Sequence, residues 1–147
     1  MDKLQFGGII LIIGYTTGVF DLFHVGHINI LKSSKSLCDK LIVGISTDEL
    51  VKKNKNKNPV IPFLERIEIV RNISFVDLCV PQEDDNKILA WNKLKYHKLF
   101  VGDDWFQNNK WKDYETELKS KNVSITYFPY TKGTSSTKIN NILNKFR

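Results

Sequence analysis

The chain reads as an α/β protein: a Rossmann-like, doubly wound parallel sheet of about five strands with helices on both faces. Three observations predict it. Short, mostly apolar runs alternate with longer amphipathic segments along the chain. The runs have strand length, as expected of strands covered on both faces. The segments with functional character, at 18–27, 46–57, 102–105 and 132–137, each fall just after a predicted strand. Open parallel sheets bind ligands there, beyond the carboxyl ends of their strands.

The first strand is predicted over 9–15, from the run Ile9-Ile10-Leu11-Ile12-Ile13. That run is far shorter than the ~20 residues of a membrane span, and it has neither a basic leader nor a small-residue cleavage site. A glycine-containing turn follows, then a helix over 26–37. The second strand is predicted at 40–45. Beyond it, Lys52-Lys53-Asn54-Lys55-Asn56-Lys57-Asn58 lacks apolar anchors and reads as a mobile loop ending at Pro59. Pro59 and Pro62 punctuate entry into a helix at 63–73. Strands at 75–80, 98–101 and 123–128 then alternate with helices at 86–96, 109–121 and 135–145. No internal repeat interrupts this rhythm.

Composition fits one domain spanning 1–147: 41% hydrophobic and 26% charged residues are ordinary for a globular protein. Cys38 and Cys79 sit in apolar contexts, match no metal spacing, and read as reduced core thiols of a cytoplasmic protein. The net charge of +6 admits a nucleic-acid partner, but the lysines are scattered except at 52–57 and lack interleaved aromatic residues. A nucleotide or phosphorylated metabolite explains that cluster equally well. No nucleic-acid or membrane partner is expected.

The chemistry concentrates in Gly18-Val19-Phe20-Asp21-Leu22-Phe23-His24-Val25-Gly26-His27. A strand, a tight turn and two imidazoles three residues apart at a helix start make an anion site, because backbone N–H groups and the positive helix end face the guest. A polyphosphate is the obvious guest. Gly18 and Gly26 suit close backbone approach. Asp21 has a second role open to it, holding the turn through backbone hydrogen bonds; either histidine could likewise be a helix cap. Ser135, Ser136 and Thr137 begin a predicted helix after Gly133. Three hydroxyls exceed what a cap needs, which suits the β- and γ-phosphates.

With its His-x-Gly-His core, this turn resembles the nucleotidyltransferase superfamily, and most closely the cytidylyltransferases typified by glycerol-3-phosphate cytidylyltransferases. Ile45-Ser46-Thr47-Asp48-Glu49, Gly102-Asp103-Asp104-Trp105 and Lys132-Gly133-Thr134-Ser135-Ser136-Thr137-Lys138-Ile139 resemble further motifs of that family in the same order. The likeness spans roughly residues 10 to 145. It implies His24, His27, Ser135 and Lys55 as catalytic residues. It implies Gly18, Val19, Phe20, Asp21, Gly26, Arg66, Gly102, Asp103, Asp104, Thr131, Gly133, Thr134, Ser136 and Thr137 around the nucleotide. Lys57, Trp105, Tyr130 and Lys132 fall toward the acceptor. Either Lys55 or Lys57 would reach the triphosphate.

The chain departs from the family pattern at Val19 (commonly threonine), Ser74 (often arginine), Tyr130 (arginine) and Lys132 (glutamate). Arginine and lysine recognise phosphate differently, so acceptor preference does not transfer with the donor motif. The resemblance implies transfer of CMP from CTP to a small phosphorylated alcohol, glycerol 3-phosphate first, with release of pyrophosphate. Magnesium would ride on the nucleotide phosphates, with no metal site of the protein's own, and the assembly would be a homodimer. ATP as donor, or a regulatory nucleotide-binding module without turnover, are the alternatives.

Overall fold

The computed structural model describes residues 5–6, 9–103, 109–129 and 135–146. A two-residue antiparallel pair, β1 (Gln5–Phe6) with β2 (Ile9–Ile10), precedes the main sheet. Then follow β3 (Ile13–Gly18), α1 (Val25–Lys35), β4 (Lys40–Ser46), α2 (Asp48–Lys55), α3 (Phe63–Arg71), β5 (Leu78–Gln82), α4 (Lys87–Leu94), β6 (Lys98–Gly102), α5 (Asn109–Ser120), β7 (Ser124–Phe128) and α6 (Ser136–Asn144). The five-stranded sheet has the order β5-β4-β3-β6-β7, and every neighbouring pair is parallel. The chain winds outward from β3 to β5, returns, and winds outward again through β6 and β7. Its direction reverses between β3 and β6, the point where such sheets bind ligands.

Side-chain alternation places helices on both faces, as predicted. Leu41, Val43, Ile45 and Phe100 point to one side, where Leu31 of α1 and Ile67 and Val70 of α3 complete a core. Ile13, Tyr15, Ile42, Leu99 and Val101 point to the other, against α4 and against Trp111, Tyr114 and Leu118 of α5. Single strands feed both cores with a period of two residues. Gly14 permits this on the α1 side: a Cβ there would lie 2.6 Å from the Phe100 ring and 2.7 Å from Cys38 Sγ.

Three sequence expectations need correction. The predicted strand at 9–15 is two strands, because Ile12 bonds out of register: its N–H donates to Asp39 Oδ2 and its carbonyl accepts from Asp39 and Lys40 N–H. The predicted strand at 75–80 starts later, as β5, and includes Pro81. An outer strand tolerates proline because it has one unpaired edge. The stretch read as a mobile lysine–asparagine loop is largely α2. Its N-cap Thr47 accepts from Leu50 N–H, Leu50 and Val51 are buried, and Asn56 closes it in the left-handed region at φ 53°. Lys52, Lys53 and Lys55 fill its last turn, where cations meet the negative helix end. Cys38 and Cys79 are free and only half-buried, their thiols pushed up by burial. Among the described residues, no helix is long and apolar enough to cross a membrane.

Candidate active site

The turn between β3 and α1 is built around two reciprocal hydrogen bonds. Gly26 N–H donates to His24 Nδ1 at 3.0 Å, and His24 N–H donates to His27 Nδ1 at 3.1 Å. The histidines thus form a capping box, doing what serine and glutamate usually do at a helix start. A backbone N–H can only donate, so each Nδ1 is the bare nitrogen and each neutral ring carries its proton on Nε2. The two rings lie 4.0 Å apart between centroids. Burial, aided by His24 and opposed by Asp21, pushes His27 down to about 4 from 6.5; burial also lowers His24. Capping thus engages Nδ1 alone. Nδ1 serves the helix, and Nε2–H is a neutral donor at its positive end.

The backbone before the histidines is bent twice. Phe20 (φ 54°) and Leu22 (φ 49°) both occupy the left-handed region, uncommon for residues with side chains. Phe20 is buried in the α1-side core and packs on His27, ring centroids 5.3 Å apart. A Cβ on Gly18 would meet the Phe20 ring at 2.8 Å, so glycine is needed there for close approach. Asp21 accepts from Val60 N–H and Ile61 N–H, each at 2.8 Å, and from Leu22 N–H at 3.1 Å. Its carboxylate thereby ties the turn to the chain entering α3.

Arg66 of α3 is fully buried. Its Nε donates to Ile61 O (2.8 Å), Nη1 to Val19 O (2.6 Å) and Ser46 O (2.8 Å), and Nη2 to Asp48 Oδ1 (2.7 Å). The α6 start adjoins the same turn. Ser136 Oγ donates to the carbonyl of Asp21, and Ser135 Oγ caps α6 by accepting from Lys138 N–H at 3.0 Å. Two helix N-termini therefore meet at the carboxyl end of β3.

A second charged group sits at this edge of the sheet. Lys87, first residue of α4, is buried, and its Nζ donates to Thr17 Oγ1 (2.8 Å) and Gln82 Oε1 (3.1 Å). Gln82 Nε2 donates onward to Ser46 Oγ at 3.1 Å. Burial pushes the Lys87 ammonium down to about 8, although Asp85 and Asp84 hold it up and Lys110 adds to the lowering. Lys87 lies outside every motif that marks the site in the sequence. The signal was present: a lysine in a first helical turn opposes the helix dipole and calls for a reason.

Residues 15–142 match the cytidylyltransferase-like family. The chain belongs to that family and is a nucleotidyltransferase. It is 33% identical over 131 residues to an FAD synthase of Pyrococcus horikoshii, covering 87% of each chain. It is 34% identical over 125 residues to a glycerol-3-phosphate cytidylyltransferase of Bacillus spizizenii, covering 84% of this chain and 91% of the relative. The fold is shared with a lipopolysaccharide core biosynthesis protein of Thermoplasma volcanium, at TM-score 0.69 and 24% identity over 84% of this chain and 99% of the other.

In this nucleotidyltransferase the turn brings together Gly18, Val19, Phe20, Asp21, His24, Gly26 and His27, with Ser136 alongside through the Asp21 carbonyl and Ser135 next to it in sequence. Gly102 ends β6 across the switch point, with Asp103 exposed after it. Lys55 and Lys57 are exposed at the far end of α2, and Thr137 is exposed on α6. Asp21 and Arg66 direct their polar groups at the protein's own backbone and Asp48. Asp104, Trp105, Tyr130, Thr131, Lys132, Gly133 and Thr134 lie outside the described residues.

Proposed function

We propose that the chain transfers a CMP group from CTP to a small phosphorylated alcohol, with glycerol 3-phosphate the first acceptor to consider. An oxygen of the acceptor phosphate attacks the α-phosphorus in line. A new P–O bond forms as the bond to the β-phosphate oxygen breaks, and pyrophosphate leaves. The attacking group is already an anion, so neither a strong base nor a covalent nucleophile is required. Catalysis is positioning plus stabilisation of charge on the phosphoryl oxygens.

One observation carries this reading: a pair of neutral Nε2–H donors, both locked by their Nδ1 bonds, at the N-terminus of α1 beside the sheet's switch point. His24 and His27 donate to the phosphate undergoing substitution. Gly18, Val19, Phe20 and Gly26 bring backbone close to it, and Gly102 and Asp103 face the nucleoside from the far wall. The Ser135 hydroxyl proton, Thr137 and the α6 N-terminus receive the β- and γ-phosphates, and Lys55 or Lys57 screens the departing pyrophosphate. Lys87, a buried cation whose described partners at hydrogen-bond distance are neutral, is the anchor for the acceptor's phosphate. Among the described residues no three His, Cys, Asp or Glu side chains gather as a metal set. In this reading magnesium rides on the nucleotide, whose triphosphate charge it neutralises. A homodimer accompanies this reading on the family likeness.

A second reading keeps the site and changes the donor to ATP. The likeness to FAD synthases favours it, since FAD joins an AMP group to a flavin phosphate. Pyrophosphate release separates the two. The protein is incubated with magnesium, CTP or ATP, and a panel of phosphorylated alcohols and flavin phosphate. Release with CTP and a phosphorylated alcohol is expected. Release with ATP alone retires the cytidylyl assignment, and no release with any pair leaves a nucleotide-binding module.

A further inference from the structure

Arg66 is the largest fully buried side chain among the described residues, and the turnover proposed above gives it no substrate to touch. A guanidinium withdrawn from water persists only where its donors are met. Four of its five N–H protons are accounted for, and the acceptors come from four places. Val19 O lies in the histidine turn, Ser46 O at the end of β4, Asp48 at the start of α2, and Ile61 O in the segment entering α3. That last segment grips the turn in return, through the Val60 and Ile61 N–H bonds to Asp21. The left-handed Phe20 sits between these two attachments, and the left-handed Leu22 directly follows the second. Asp48 also accepts from Phe63 N–H at 3.2 Å and opens the helix that carries Lys52, Lys53 and Lys55.

From this we infer that Arg66 is a positioning residue for phosphoryl transfer: its buried guanidinium holds the histidine turn and the base of α2 in one fixed relation and takes no phosphate itself. A lysine cannot reproduce the planar fork that reaches three carbonyls and a carboxylate. The inference rests on the transfer reading for its kinetic part and on the geometry of the turn for the rest.

The test uses Arg66→Lys in the full chain, with three readouts. The first is the imidazole Hε1 NMR signals of His24 and His27 without nucleotide. His97 is the internal control, because its Nδ1 accepts from Ile13 N–H at 2.9 Å at the opposite end of β3. The second is the dissociation constant for CTP and for ATP by calorimetry, and the third is kcat. The inference expects the His24 and His27 signals to move while His97 stays. It expects nucleotide affinity within about threefold of wild type and kcat down about a hundredfold, the scale of a misplaced catalytic group. Unmoved histidine signals, or an affinity loss of about tenfold or more with those signals unchanged, overturn it in favour of packing alone or direct phosphate contact. If R66K does not fold, Asp48→Ala removes the only carboxylate on the guanidinium among the described residues. The same two signals must then move, with kcat about tenfold lower; a folded D48A with wild-type signals contradicts the inference. If wild type releases no pyrophosphate with any donor, the transfer reading fails and the NMR result still decides the positioning claim.

Discussion

Each histidine in the turn caps the helix through Nδ1 and, in the proposed reaction, donates through Nε2; substitution at His27 can separate the two. Its Nδ1 accepts from His24 N–H at 3.1 Å, and its ring packs against Phe20, Phe23 and His24 at 5.3, 5.1 and 4.0 Å. His27→Ala deletes the cap acceptor, worth about 1 kcal/mol, and roughly another 1 kcal/mol of packing. For a chain of this size about 2 kcal/mol lowers Tm by roughly 4–8 °C. His27→Asn keeps an acceptor where Nδ1 stood and loses the Nε2–H donor. Its stability should stay within about 1 kcal/mol of wild type. Turnover should fall by about 10²–10³, the cost of one donor to developing charge. His27→Gln keeps a donor near Nε2 and loses the cap, so it should resemble the alanine variant in stability and exceed the asparagine variant in rate. Thermal melts and pyrophosphate release give both numbers. An asparagine variant with turnover within tenfold of wild type, or as unstable as alanine, refutes the division of labour.

Further outcomes follow from the same geometry. His27 stays neutral down to about 4, whereas the unfolded chain protonates it near 6.5, so the unfolded state binds more protons in that window and stability falls as pH drops through it. The full difference corresponds to about 3 kcal/mol; for a half-buried ring about 2 kcal/mol is expected after solvent screening. Urea midpoints of wild type and His27→Asn should therefore differ in pH dependence between 6.5 and 4 and run parallel above 7; parallel curves throughout contradict the assignment. Gly14→Ala should lower stability by about 1–3 kcal/mol through the Phe100 and Cys38 contacts without altering turnover of the folded fraction. An unchanged Tm would show that the core has room there. Lys87→Met removes a buried ammonium while keeping its stem. Steady-state kinetics should show acceptor KM up at least about tenfold with stability little changed, and an unaltered KM removes Lys87 from the acceptor site.

The sheet was legible because every central strand alternates between two cores, so apolar runs such as Leu41-Ile42-Val43 had no competing reading. The histidine turn was legible because few residue sets fit between a strand and a helix with two imidazoles. The helix α2 was not, since its stability comes from the Thr47 cap, two buried residues and lysines set against the helix dipole, none of which gives an apolar period. Arg66 reads as a nucleotide-side residue by resemblance because sequence shows charge and not burial; only the three-dimensional path of Val19, Ser46 and Ile61 shows what its guanidinium touches. Lys87 was hidden for the same reason, its partners Thr17 and Gln82 lying 70 and 5 residues away.

In the proposed reaction the neutral histidine pair stabilises transfer of a nucleotidyl group to a phosphate. ³¹P NMR of the wild-type protein with magnesium, CTP and glycerol 3-phosphate tests it most directly, run beside a variant carrying both His24→Asn and His27→Asn. A new diphosphate ester and pyrophosphate should appear one for one with wild type, and both signals should be lost in the folded double variant. Pyrophosphate formation at the wild-type rate in that variant would contradict it.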